Sequence, residues 1–274
     1  AAVACGARLV NSGAEGQLYA GALAAVAVGG LHDGTGFALS PWLLMPLMMA
    51  AAALVGGLLL LGPALMKTRL GVDEVVTTLL LNFVVLLGVS WLLDGAMKDP
   101  MALGWPQSVA LQDALQFDKL IPQTRVHTGL VLALGLAVTV WAALKYTVLG
   151  FDIRALGANA NAARFAGVPI TRTIVLVSLL SGGLAGLAGA VEVAGRTAYV
   201  TLDMSPGYGY TGIVVAMLAM LNPLGVIASA FSPDFIFKFL LDSSGAVILF
   251  VYLLIAISQI VLRYRNGGDK LNVK

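Results

Sequence analysis

The sequence predicts an all-α, polytopic transmembrane helical bundle containing one broken, re-entrant helix. Three observations carry that expectation. Apolar residues make up 59% of the 274-residue chain and charged residues 11%, with a mean hydropathy of +0.93; a soluble domain is about one quarter charged, so this chain cannot cover its surface in water. Apolar runs recur at lengths near the roughly 20 residues of a bilayer span, and none alternates with the period of two that marks a strand. Finally, Asn222–Pro223 interrupts one apolar run in its middle.

The runs follow in order. Gln17 to Leu31 reads as a short Ala/Gly-rich helix, and Pro41 to Met66 as a long span whose proline suits a helix start. Val75 to Leu93 spans. Asp94 to His127, with Pro100, Pro106 and Pro122, reads as a structured polar excursion. Thr128 to Tyr146 spans again. Gly150 to Ile170 is a polar, Arg-bearing island that fits two short amphipathic turns, with Ile153, Leu156 and Ala160 on one side and Arg154, Asn161 and Arg164 on the other. Thr173 to Val193 is a span in which Gly182, Ala185, Gly186, Ala188 and Gly189 make a close-packing face. Gly207 to Phe231 is the broken run, and Ala246 to Leu262 precedes a basic tail.

Basic residues near span ends set the orientation. Lys145, Arg154, Arg164 and Arg172 outnumber Asp152 around the island, which places it at the cytoplasmic face together with Lys67 and Arg69. The Asp94 to His127 excursion then lies outside. A full crossing by Gly207 to Phe231 would send Arg263, Arg265, Lys270 and Lys274 outside as well; a hairpin turning at Asn222–Pro223 removes that conflict. The half-helix from Gly212 to Leu221 covers only about 15 Å, half the hydrocarbon thickness. Backbone broken at such depth is tolerated where it lines a cavity or is buried in protein.

Several chemistries are poorly supported. The lone Cys5 excludes an internal disulfide or cysteine cluster, and a net charge of +2 gives no footprint for nucleic acid. Gly207 to Gly212 matches a dinucleotide-loop pattern literally but follows no strand. No phosphate-binding lysine loop is present, and His32 and His127 stand alone in loops. Ser181 has no histidine in an apolar span to serve as its base. The expectation is therefore no catalytic, metal or cofactor site. Nothing at the N-terminus has the form of a cleavable signal; the chain opens in apolar sequence as though a preceding part were missing.

Intramembrane polar groups remain. Glu15 either compensates its own helix dipole, worth about 0.3–1 kcal/mol, or faces a translocation path with Gln17. Asn82, mid-span, suits a hydrogen bond to a neighbouring helix. Glu192 closes the small-residue run near the outer end, solvated or at the mouth of a path. The Asn222–Pro223 break is the kind of discontinuity that places backbone groups at a substrate route.

At this point the blocks carry a resemblance. NSGAEGQLYAGALAA (Asn11 to Ala25), VTTLLLNFV (Val76 to Val84), GWPQS (Gly104 to Ser108), GFDIRALGANANAARFAGV (Gly150 to Val168), SGGLAGLAGAVEVAG (Ser181 to Gly195) and GYGYTGIVVAMLAMLNPLGV (Gly207 to Val226) stand in the order of the permease subunits of bacterial ABC importers for nucleosides and simple sugars. The resemblance covers residues 1–229 and implies a multi-pass protein of the bacterial cytoplasmic membrane. It also implies an ABC ATP-binding subunit that uses ATP, a second permease subunit in a heterodimer, and an extracytoplasmic substrate-binding protein. By resemblance the island is the coupling element, with Asp152, Arg154, Asn161 and Arg164 as ATPase-docking residues. Glu15, Gln17, Asn82, Glu192, Asn222 and Pro223 would border the translocation path.

Two departures qualify this reading. Members of that family begin with one or two further helices before the EGQ block. Residues 230–274 instead resemble a late helix pair of amino-acid permeases of the GABA type, through FKFLLDSSGA and LFVYLLIAISQ. A secondary amino-acid transporter and a non-functional fused membrane fragment are the alternatives this tail raises.

Overall fold

Among the described residues, ten α-helices and no β-strand are present: α1 (Ala2–Gly6), α2 (Ala14–Gly29), α3 (Pro41–Leu70), α4 (Glu74–Asp94), α5 (Gly129–Tyr146), α6 (Val148–Ala158), α7 (Ala160–Phe165), α8 (Ile170–Glu192), α9 (Tyr208–Leu218) and α10 (Pro223–Ala230). A π-turn, Val193–Thr197, extends α8. The computed structural model describes residues 2–31, 40–121 and 126–230. The chain divides into two units, 1–227 and 228–274; the architecture below is that of the first. His32, the run Ala246 to Leu262 and the basic tail lie outside the described residues, as does nearly all of the segment after residue 229.

Helices α3, α4, α5 and α8 with its π-turn are long and apolar enough to cross a membrane. Their boundaries follow local chemistry. Pro41 opens α3, and Gly71 closes it in the left-handed conformation (φ 67°) with its N–H on the Lys67 carbonyl. The Asp73 carboxylate caps α4 through the Val75 N–H at 2.8 Å. The faces of α4 are sorted as a lipid-exposed helix requires: Glu74, Thr78 and Asn82 point inward, while Leu80, Phe83, Leu87 and Trp91 point outward.

The buried α2 is sheathed by α3, α4 and α8. Small residues make these contacts. A Cβ at Gly186 would stand 2.1 Å from the Ala52 carbonyl oxygen, one at Gly182 2.3 Å from that of Gly56, and one at Gly189 1.9 Å from that of Leu18. The face read from Gly182, Gly186 and Gly189 is thus the surface on which α8 meets α2 and α3. Two apolar clusters result, one around Tyr19, Leu44, Met48, Leu111 and Val193, the other around Val3, Leu9, Leu60, Ile153 and Val177.

The polar excursion after α4 is ordered against the far end of α8. The Ser108 N–H donates to the Val200 carbonyl (3.1 Å), Leu111 to Ala198 (2.7 Å) and Phe117 to Ala194 (2.7 Å). The island occupies the opposite end, beside α1 and the start of α8. It forms two helices as expected, each capped by its own N-cap side chain: Thr147 accepts from Gly150 N–H, and Asn159 from Asn161 and Ala162 N–H. Ile153 and Leu156 are buried, but Ala160 is exposed and Ala163 is the buried residue of α7. The extended backbone at Asn159 (φ −157°, ψ 112°) resets the helical phase, so a single periodicity does not run through both helices.

The broken helix is present as α9 and α10. Met220 and Leu221 take positive φ (49° and 61°), Asn222 Oδ1 accepts from Leu224 N–H at 3.0 Å, and Pro223 opens α10. Phe231, where the expected run ends, lies outside the described residues. The short α1 has no counterpart in the sequence reading, because five residues carry no readable periodicity.

Gly186→Ala is expected to destabilise the bundle by about 1–3 kcal/mol, because its methyl meets backbone rather than a movable side chain. Gly88→Ala, with nothing within 4 Å, is expected to be neutral or slightly stabilising. Unfolding of the purified protein in detergent measures both.

Candidate functional site

Between the two apolar clusters lies a layer of buried polar side chains. Gly13, the N-cap of α2, has no side chain with which to cap that helix. Asn82 of α4 supplies what is missing: its Oδ1 accepts from the Gly16 N–H at 2.8 Å, and its Nδ2 donates to the Ser12 carbonyl at 2.8 Å and the Tyr210 hydroxyl at 3.2 Å. Close approach is possible because residue 16 is glycine, where a Cβ would stand 2.9 Å from Asn82 Oδ1. Asn11 and Gln17 exchange amide hydrogen bonds of 2.8 and 2.9 Å, and Asn11 Oδ1 also accepts from Gly13 N–H. Ser181 Oγ accepts a longer bond from Asn11 Nδ2 at 3.4 Å.

Glu15 reaches another helix. Its Oε2 accepts from the Gly209 N–H at 2.6 Å, so the carboxylate caps α9, where the helix dipole favours a negative charge. A Cβ at Gly209 would stand 2.3 Å from the Glu15 nitrogen, so the contact needs glycine there. Ser205 Oγ accepts from Gly207 and Tyr208 N–H at the same helix start. The buried Tyr19 donates to the Leu202 carbonyl at 2.5 Å and accepts from Ser205 N–H, holding the strand-free segment that leads into α9.

A cavity of about 490 Å³ lies beside this layer. Leu132, Leu136 and Val140 of α5 form one wall, α8 from Ser181 to Glu192 the next, and Tyr208, Gly212 and Ala216 of α9 the third; Pro223 closes an edge. Its lining is apolar apart from Ser181, Glu192 and Tyr208. Arg196 on the π-turn donates to both the Glu192 carboxylate, one turn back, and, at 3.0 Å, the Tyr208 hydroxyl, so a guanidinium held by its ion pair joins the end of α8 to α9 at one side of the cavity.

The structure therefore brings Glu15, Gln17 and Asn82 together in one buried layer, and puts Glu192 and Pro223 on the cavity. Asn222 is exposed and caps α10. At the island, Arg154, Asn161 and Arg164 are exposed, Asp152 is half-buried, and Arg154 donates to the Leu144 carbonyl. Phe165 stands 94% exposed beside Arg164, with Phe151 also outward. Sequence reasoning passed over Thr78, Tyr19, Arg196 and Tyr208: Thr78 bonds its own helix backbone, Arg196 pairs with Glu192 one turn away, and the Arg196–Tyr208 and Tyr19–Ser205 bonds join residues 12 and 186 positions apart. Among the described residues no group of three or more His, Cys, Asp or Glu could hold a metal ion.

Residues 2–263 match the family described as branched-chain amino acid transport system / permease component. A guanosine ABC transporter permease protein of Bacillus subtilis is 33% identical over 225 residues, covering 81% of this chain and 63% of that protein. A glucose ABC transporter permease protein of Haloferax volcanii is 36% identical over 220 residues, 77% of this chain and 56% of its own length. The chain thus spans under two thirds of the length of these relatives. A gamma-aminobutyric acid permease of Escherichia coli is 35% identical over 81 residues, 29% of this chain and 15% of that protein. No solved structure matches.

Asn82→Leu would leave the Ser12 carbonyl and Gly16 N–H without their bonds inside the bundle. Each group left unpaired is expected to cost about 1–3 kcal/mol, read as a lowered unfolding midpoint in detergent.

Proposed function

The chain belongs to the branched-chain amino acid transport system permease-component family, and we propose that it is the membrane-spanning permease subunit of an ATP-driven importer for nucleosides or simple sugars. The substrate class rests on the relatives, which are described as guanosine and glucose permeases. The single observation that carries the mechanical half of the reading is the island. Two capped helices expose Asn161, Arg164 and the nearly bare Phe165, with Arg154 also exposed but hydrogen-bonded to the end of α5. An exposed aromatic beside basic groups, on helices anchored by Ile153 and Leu156, is a surface built to meet protein.

In this reading the island docks on a separate ATP-binding subunit at the cytoplasmic face of a bacterial inner membrane. A second permease subunit completes the membrane path, and an extracytoplasmic binding protein delivers substrate. Substrate passes the cavity lined by Ser181, Glu192 and Tyr208. ATP is consumed by the partner; this chain contributes position and shape. Residues 1–229 form the importer-like core, and 230–274 a segment of different origin. The match to an amino-acid permease favours a second reading, secondary transport driven by an ion gradient. It requires uptake that persists without an ATPase.

The docking test is Arg164→Glu in the complex purified from native membranes. ATP-driven uptake is expected to fall at least about tenfold, since reversing a buried interfacial charge costs several kcal/mol. Unchanged uptake in a complex that still holds its ATP-binding subunit would reject the role. For orientation, Leu103→Cys and Phe165→Cys are placed singly in a Cys5→Ser background; both side chains are bare at 101% and 94% exposure. A membrane-impermeant reagent is expected to label the first in intact cells and the second only after permeabilisation.

A further inference from the structure

The island is joined to the cavity wall by a continuous line of polar contacts through the segment that precedes α2. At its first end, Gly6 and Gly157 let α1 and α6 touch backbone to backbone; a Cβ at Gly157 would stand 2.1 Å from the Gly6 oxygen. Two residues on, Arg8 Nη2 donates to the Ala158 carbonyl at 3.2 Å. That carbonyl is the last of α6, where the helix dipole favours a cation. Arg8 holds φ at 55°, a left-handed conformation that suits glycine at the end of a helix and is unfavourable for arginine. The side chain therefore stands where a glycine would relieve the backbone.

The line continues from the same residue. Lys67 Nζ donates to the Arg8 carbonyl at 2.7 Å and to Glu74 Oε1 at 2.5 Å, and Glu74 Oε1 accepts from Val10 N–H at 3.4 Å. Asn11 is clamped to Gln17, and Ser12 to Asn82. At the far end Glu15 holds Gly209, one residue from Tyr208 on the cavity. The links at Arg8 are exposed and those at Asn11, Ser12 and Glu15 are buried; together they pin residues 7–13, which form turns rather than a helix, at several points along their length.

The geometry points to residues 6–15 as the pinned segment that carries displacement of the island to α9, with Arg8 and Glu15 as positioning residues at its two ends. This rests on the docking reading above and adds the route by which docking reaches the substrate path.

The test uses the whole importer complex in liposomes and reads substrate imported per ATP hydrolysed. Arg8→Gly removes the guanidinium while easing the backbone, so a folding defect is not built into the change. The ATP-binding subunit is expected to co-purify at wild-type levels and ATP turnover to persist. Import per ATP falls by between about twofold and thirtyfold. Arg8→Lys, which can still reach one carbonyl, restores at least half of the ratio. Combining Arg8→Gly with Glu15→Gln lowers the ratio no further than the more severe single change, because both cut one line. An unchanged ratio for Arg8→Gly, failure of Arg8→Lys to restore it, additive losses, or loss of the ATP-binding subunit on Arg8→Gly each overturns the inference. Failure of the docking reading shows separately and earlier, as absence of any ATP-binding subunit with the unsubstituted chain.

Discussion

The start of α2 depends on a side chain from another helix. A helix beginning at Gly13 within the bundle has amide groups that neither its own N-cap nor water can satisfy. Asn82 meets that need by accepting from Gly16 and donating to Ser12, and doing so fixes α2 to α4 at a chosen height. Around that bond the remaining polar groups have little freedom. Asn11 and Gln17 satisfy each other, and Glu15 is left to cap α9. Buried polar networks of this kind impose one arrangement because any partial version leaves a desolvated group unpaired.

Close packing makes this layer possible. Gly16 admits Asn82, Gly209 admits Glu15, and the glycines of α8 bring α2 and α3 within backbone contact. In lipid the hydrophobic effect gives helices little reason to associate, so van der Waals contact and hydrogen bonds carry the association. Glycine serves both, and its abundance is a consequence. The same logic separates α5, of which Gly129 is the buried residue; it stands off from α8, and the cavity fills the interval.

The polar layer and the cavity share α8 and α9. Ser181 belongs to both, accepting from Asn11 on one side and lining the cavity on the other. The Glu192–Arg196–Tyr208 contact ties the C-terminal part of α8 to the start of α9, while Glu15 ties that same start to α2. Helix α9 is therefore held at its N-terminus by two independent hydrogen bonds to charged side chains, and a change in either alters the wall of the cavity.

The sequence by itself determined the class, the positions of the four described spans, the polar island and the helix break. These depend on composition, on apolar length and on proline and asparagine chemistry, all of which are local. It singled out Glu15, Gln17 and Asn82 because a polar group in an apolar run is conspicuous, yet left open what each one meets. Gln17 meets the Asn11 side chain six positions away, but Glu15 and Asn82 meet chiefly backbone amides and carbonyls, Gly16, Ser12 and Gly209, which every residue possesses and no sequence pattern marks. Arg8 was legible as a basic residue but not as a link, since its left-handed backbone and its bond to Ala158, 150 positions away, exist once α1 and α6 have met. Tertiary structure alone decided these pairings, because a hydrogen bond depends on distance and direction in space while a sequence records only order along the chain.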